Sequence, residues 1–332
     1  MRSLLSSSVL AWALLVAQAC FCIPAARSAE EVRIAGREYT RLSDWARRNN
    51  FSVRWTKKDD SLELANAERR IVLQIHSPEA ELDGVEVRLL FPLVQQGDTV
   101  WISSMDVKST FDPLLFPPRL RNGAQLRTIC LDPGHGGKDP GNQVGGTQEK
   151  TLALLLSQEL QSQLKRAGWK VSLTRTRDTF VELPERPDIA RRRKADLFVS
   201  IHFNSTASAG GSVKGAEVYC LTPAGAPSTN AGGEGGGAGW FPGNRFNDEN
   251  ILLAYQVQKN LTRKAQIDDR GVHRARFWVL RDAVTPAVLI EAGFLSNPAE
   301  CRKILSPVYR RQLASAIVQG LCAYKATMER RL

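Results

Sequence analysis

The segment ICLDPGHGGKDPGNQ, residues 129–143, leaves an apolar run and turns at once through glycines, with a histidine at the turn. Apolar residues followed by Pro and Gly predict a buried strand ending in a tight loop, and ligands bind at such strand ends in open α/β sheets. His135 therefore stands where chemistry can happen. Working outward, RTICLD is a strand, EKTLALLLSQELQSQLKRAGW an amphipathic helix stopped by Gly168, and KVSLTR the next strand. PDIARRRKA reads as a helix, and DLFVSIHFN and AEVYCLT as strands. After a loop come the helix ENILLAYQVQKNLTRKAQ, the strands FWVLRD and AVLIEAGF, and a closing helix from Pro307. This alternation predicts an α/β fold over residues 127–328: a mostly parallel, twisted sheet with helices on both faces.

The chain has 332 residues, 43% hydrophobic and 24% charged, which excludes disorder throughout and allows one large domain with a smaller one. Its formal charge of +11 favours an anionic partner: nucleic acid, a membrane surface or an acidic wall polymer. The first 28 residues show a cationic start, an apolar core and then small residues, the order of a secretory signal peptide. Export to a periplasm, cell envelope or the exterior is expected. Nucleic acid is then not a partner, and no stable membrane span is expected after cleavage. Removing the signal takes away only Arg2 and Arg27 among charged residues, so the basic character survives. It also removes Cys20 and Cys22, leaving Cys130, Cys220, Cys301 and Cys322 without the paired spacing of a zinc knuckle. These are expected as buried apolar positions, or as one or two bridges.

Residues 30–118 read as a small α+β accessory unit, with a short strand leading through Gly36 into a helix carrying Leu42, Trp45 and Ala46, and further short strands after it. His76 lies in this unit and is expected to be structural. The Pro-rich stretch before Gly123 marks a join, with a linker at 119–126. Residues 222–247 are too glycine-rich for helix or strand and predict a surface loop; a sharper reading makes it a lid in which Trp240 and Phe241 touch substrate.

Three strand ends and one helix start carry the candidate chemistry. DPGHGG supplies His135, GGTQEKT Glu149, VSIHFNS His202 and VLIEAGFLSN Glu291. In a parallel sheet such ends converge on one edge. Two histidines and a carboxylate are a common zinc set, leaving a fourth tetrahedral position open, which is a catalytic arrangement. Glu291, on an apolar strand that raises its pKa, suits proton transfer; its alternatives are a fourth metal ligand or a buried salt bridge to an arginine.

These motifs, ICLDPGHGGKDPGN, QEKTLAL, LTRTRDTFVELPERPDIA, ADLFVSIHFNS, GVHRARFWVLRD and PAVLIEAGFLSNPAE, stand in the order in which they resemble the zinc-dependent N-acetylmuramoyl-L-alanine amidases, peptidoglycan hydrolases of the bacterial cell wall. The resemblance implies one Zn2+ held by His135, Glu149 and His202, with Glu291 as the catalytic carboxylate and peptidoglycan as the partner. It implies a structural role for Arg186. Asp132 is expected to buttress His135, Asn204 to fix its loop, and His273 to lie at the surface near the cleft. The N-terminal unit resembles the stalk-like N-terminal domain of copper amine oxidases, through the order G-x-x-Y, P-L, G-D-x-x-W-I-S, D and through FDPLLFPP. Division amidases of the family can carry an inhibitory helix; the glycines of 222–247 make one improbable here, so activity without an activator is expected. A wall-binding protein without catalysis and a zinc hydrolase of another amide are the competing readings.

Overall fold

The computed structural model describes residues 30–121, 123–206, 211–230 and 239–330. The expected signal peptide, with Cys20 and Cys22, lies outside them. The N-terminal unit comprises β1 (Glu31–Ile34), β2 (Arg37–Arg41), α1 (Leu42–Arg48), β3 (Ser52–Lys57), β4 (Ser61–Ala65), β5 (Arg70–Gln74), β6 (Glu79–Leu82), β7 (Val85–Arg88), β8 (Val94–Gln96), β9 (Thr99–Ser103) and the short helices α2 (Ser104–Asp106) and α3 (Asp112–Leu115). Then follow β10 (Thr128–Pro133), β11 (Gln143–Val144), β12 (Thr147–Gln148), α4 (Glu149–Arg166), β13 (Lys170–Leu173), α5 (Glu185–Arg192), β14 (Leu197–Asn204), β15 (Ala216–Leu221), α6 (Asn247–Ala265), β16 (Asp269–Ala275), α7 (Trp278–Arg281), β17 (Ala287–Phe294), α8 (Pro298–Leu305) and α9 (Pro307–Met328).

The main sheet runs β13-β10-β14-β17-β15-β16 and continues into β7-β6-β5-β4-β3. The first four strands are parallel; β15 pairs antiparallel with β17 and parallel with β16. Side-chain alternation then sorts β10, β14, β15 and β17 between two cores. Ile129, Leu131, Val199, Ile201, Val218, Val288 and Ile290 pack against α4, α6 and α9. Cys130, Phe198, Tyr219 and Leu289 pack on the other face against α5 and α7. Because successive residues point to opposite faces, Asp132, His202, Glu217, His273 and Glu291 share the second face, where the helices are short and leave an opening.

Helix α4 forms because Leu152, Leu156, Leu160 and Leu164 recur at one-turn spacing and are buried. Each contributes roughly 1.5–3 kcal/mol by leaving water. It ends where Gly168 takes φ +88°, open to glycine at little cost. Its first residue is Glu149, so the core packing of the whole helix fixes that carboxylate.

The N-terminal unit shares the sheet. Val87 of β7 pairs with Val272 of β16, the Tyr255 hydroxyl donates to Leu82 O at 3.2 Å, and Arg274 donates to Ser109 O. One hydrophobic core runs from Leu42 and Trp45 through to Tyr324. Residues 119–126 are stitched to the end of α9: Leu120 N donates to Met328 O and Leu126 N to Glu329 Oε1. His76 is exposed on a turn at φ +58°.

FWVLRD is not a strand. Its residues 278–281 form the helical turn α7, burying Val279 and Leu280 together, whereas the strand at this point is β16, DRGVHRA. A four-residue apolar run fits helix or strand equally, and both neighbours of β16, β15 and β7, are supplied from elsewhere in the chain. Cys130, Cys220, Cys301 and Cys322 are all free thiols, the first three buried, so among the described residues the buried-apolar alternative holds and no bridge forms.

Candidate active site

The glycines of the opening segment are explained by close approach. A Cβ at Gly134 would lie 2.3 Å from Cε1 of His202; one at Gly141 would lie 2.6 Å from Cδ2 of His135 and 2.7 Å from Glu149 Oε2. His135 itself sits at φ +59°, a conformation that costs a residue with a Cβ about 1–2 kcal/mol. Two buried arginines hold it there. Arg175 donates to Pro133 O, Gly134 O and Lys150 O, and Arg186 to Pro133 O, His135 O and Asp132 Oδ1.

This loop, the start of α4 and the end of β14 bring three side chains to one point. Glu149 Oε1 is 3.0 Å from His135 Nε2 and 2.9 Å from His202 Nδ1, and the two imidazole rings meet edge to face at 4.9 Å. Their donor atoms lie within 4.8 Å of one another, the single such cluster among the described residues. Two imidazole nitrogens and a carboxylate oxygen are a donor set suited to a metal ion. The supports fit that use. Asp139 Oδ2 lies 2.8 Å from His135 Nδ1, which presents Nε2 inward, and Asn142 donates its backbone and side-chain N–H groups to Glu149 Oε2. Burial would raise the Glu149 carboxyl, but the two imidazoles overrule it and hold it well below the usual range. Burial likewise pulls His135 down, and the Glu149 and Asp139 carboxylates outweigh it, so its pKa is raised.

Glu291 stands beside this cluster, since β14 and β17 align His202 with Glu291. Its Oε2 is buried and has no hydrogen-bond partner among the described residues. Burial first, and then the Glu149 and Glu217 carboxylates, push its pKa well above the ordinary value. Among the described residues it is outside the three-residue cluster, and no arginine pairs with it. Glu217, aligned with Glu291 across β15 and β17, is instead the paired carboxylate, accepting from Arg270 Nε and the Tyr219 hydroxyl, each at 2.6 Å.

The remaining expected residues divide. Arg186 holds the His135 loop. Asn204 accepts from Ser205 N and donates to Glu217, tying down its own loop. Asp132 does not buttress His135: fully buried, it accepts from Thr174, Ser200 and Arg186, because its side chain leaves the strand one residue pair before the turn. Asp139 takes that part. His273 is buried, not at the surface; β16 runs between β15 and β7, and its ring lies against Tyr219 with Nε2 2.7 Å from Arg270 O. Burial lowers its pKa. Sequence reasoning missed Asp139, Asn142, Arg175 and Glu217, although Asp139 and Asn142 lie inside the opening segment.

The cleft over these groups holds about 550 Å³ and is walled by Leu183, Arg186, Arg276, Trp278, Arg281 and Leu289 among others. From the glycine-rich segment, Trp240 is exposed and Phe241 packs on the cleft wall beside Arg281, 4.3 Å from its guanidinium carbon. Residues 231–238 lie outside the described residues.

The sequence profile of the N-acetylmuramoyl-L-alanine amidases matches residues 129–323. N-acetylmuramoyl-L-alanine amidase AmiC of Neisseria meningitidis is 38% identical over 230 residues, 63% of this chain and 55% of that protein. The Escherichia coli amidase AmiA is 30% identical over 231 residues, covering 62% and 79%. Among solved structures, the N-acetylmuramoyl-L-alanine amidase of Clostridium difficile 630 superposes with a TM-score of 0.51 at 33% identity, over 60% of this chain and 97% of that one. The match spans about half the length of the Neisseria relative.

Proposed function

The chain belongs to the N-acetylmuramoyl-L-alanine amidase family, and from that premise we propose that it is an exported zinc amidase hydrolysing the bond between N-acetylmuramic acid and the L-alanine of peptidoglycan stem peptides. The observation that carries the reading is the meeting of His135 Nε2, Glu149 Oε1 and His202 Nδ1, with the unpartnered Glu291 Oε2 on the neighbouring strand.

An amide resists hydrolysis because its carbonyl is a poor electrophile and its amine a poor leaving group. Zinc bound by His135, Glu149 and His202 would supply Lewis acidity, polarising the carbonyl and making a water acidic near neutral pH. The protein's own part is positional and protonic. Asp139 and Asn142 hold His135 and Glu149 in place, and the Arg175 and Arg186 clamps prevent the loop from relaxing out of its left-handed turn. Glu291 Oε2 takes the proton of the attacking water and returns it to the departing nitrogen. An ion held by the three ligands would oppose the push that Glu149 exerts on Glu291 and so favour a carboxyl that can both take and release a proton. The basic composition suits an anionic wall, and the N-terminal unit is an accessory to the same enzyme.

Mass spectrometry of peptidoglycan digested by the purified, zinc-loaded protein tests this. Free peptides beginning with L-alanine are expected. Intact wall, or fragments cut at sugar linkages or within the peptide, would refute it.

A further inference from the structure

The arginines in and behind the cleft wall differ in how they use their N–H groups. Arg175 and Arg186 spend theirs on backbone carbonyls and Asp132. The Arg281 side chain makes no hydrogen bond or ion pair among the described residues, and its Nε is buried without an acceptor. It is nevertheless firmly held. Its guanidinium carbon lies 4.3 Å from the ring centre of Phe241 and 4.3 Å from that of Trp278, so aromatic rings from two different segments flank the cation. Stacking occupies the faces of a guanidinium and leaves its in-plane donors free. A buried, unsatisfied donor carries a desolvation cost that an acceptor would remove.

A planar fork of donors, set beside two aromatic rings and lining the cleft, matches a carboxylate. We propose that Arg281 is a specificity-determining residue that binds a carboxylate on the peptide side of the substrate. This rests on the amidase reading above. The sugar side offers no such group, because the lactyl carboxyl of N-acetylmuramic acid is consumed in the scissile amide. The anion must therefore come from an acidic residue of the departing peptide. Arg281 acts as a binding residue and takes no part in the proton transfers at Glu291.

Two soluble substrates test the proposal, N-acetylmuramoyl-L-alanyl-D-glutamate and N-acetylmuramoyl-L-alanyl-D-isoglutamine, which differ by one carboxylate against a carboxamide. The wild-type enzyme is expected to favour the acid in kcat/KM by about 10- to 100-fold, the size of a charge-assisted hydrogen-bonded pair, with the difference carried by KM. Arg281→Gln should bring the ratio to about one, and Arg281→Lys, which keeps charge without the fork, should leave an intermediate ratio. A wild-type enzyme indifferent to the two substrates overturns the proposal even if the glutamine variant fails to fold. So does a glutamine variant that slows both substrates equally, the mark of a merely structural arginine. Cleavage of neither substrate by wild type removes the amidase reading itself and is thereby distinguished from failure of the Arg281 assignment.

Discussion

Replacing Gly134 with alanine tests the proposed metal site through a single added methyl group. Gly134 does not have a left-handed φ, so the backbone accepts alanine and the effect is steric alone. The new Cβ would lie 2.3 Å from Cε1 and 2.5 Å from Nε2 of His202, whereas ordinary contact begins near 3.4 Å. Something must yield by about 1 Å. The loop resists, because Gly134 N donates to Ile201 O at 3.0 Å and Gly134 O accepts from Arg175 at 2.7 Å. The ring therefore moves, taking Nδ1 away from Glu149. Catalytic constellations tolerate about 0.5 Å, and a misplacement of 1 Å costs about 10²-fold in rate. Zinc affinity should fall about 10- to 100-fold, and stability by about 1–3 kcal/mol from overpacking. Zinc titration by dye competition, peptidoglycan hydrolysis and thermal melting together read the result. Gly239→Ala, where the added Cβ meets nothing within 4 Å, serves as the control. A folded Gly134→Ala protein with wild-type zinc affinity and turnover would refute the close-approach reasoning.

Glu291→Gln should retain zinc by metal analysis and lose at least about 10²-fold in turnover; retained turnover would remove Glu291 from the chemistry. Asp139→Asn should weaken zinc binding about tenfold by loosening the His135 ring, and an unchanged affinity would show that Asp139 does not orient it. Burial pushes the Asp106 carboxyl from 3.8 up to about 7. Between those values the folded chain keeps a proton that the unfolded chain has released, so stability falls as pH rises by about 1.4 kcal/mol per unit. The stability of wild type relative to Asp106→Asn in urea should therefore fall from pH 4 to pH 8; a flat difference would contradict this. Deleting residues 30–118 should leave the paired edge of β16 and its apolar neighbours bare, giving an aggregating chain by light scattering. A monomeric, active fragment would show that the shared sheet is dispensable.

What was legible in the sequence is what depends on near neighbours. Alternating apolar runs announced the α/β layers, and His135, Glu149, His202 and Glu291 could be picked out because each sits in or just after a strand, or at the start of a helix, whose pattern is local. Backbone periodicity alone sends such ends to one edge of a parallel sheet. Tertiary structure decided what depends on partners distant in the chain. β16 is a strand although its buried face carries His273, because β15 and β7 supply its hydrogen bonds; FWVLRD, more apolar, is a helical turn because no strand lies beside it. Which aspartate steadies His135 depended on the turn at φ +59°, which favours Asp139 over the nearer Asp132. The stacking of Arg281 needed Phe241 to fold back from a glycine-rich segment that has no periodicity of its own. Short-range sterics and hydrophobic pattern are written residue by residue, whereas pairing across a sheet and the close approach of side chains exist only once remote segments share a core.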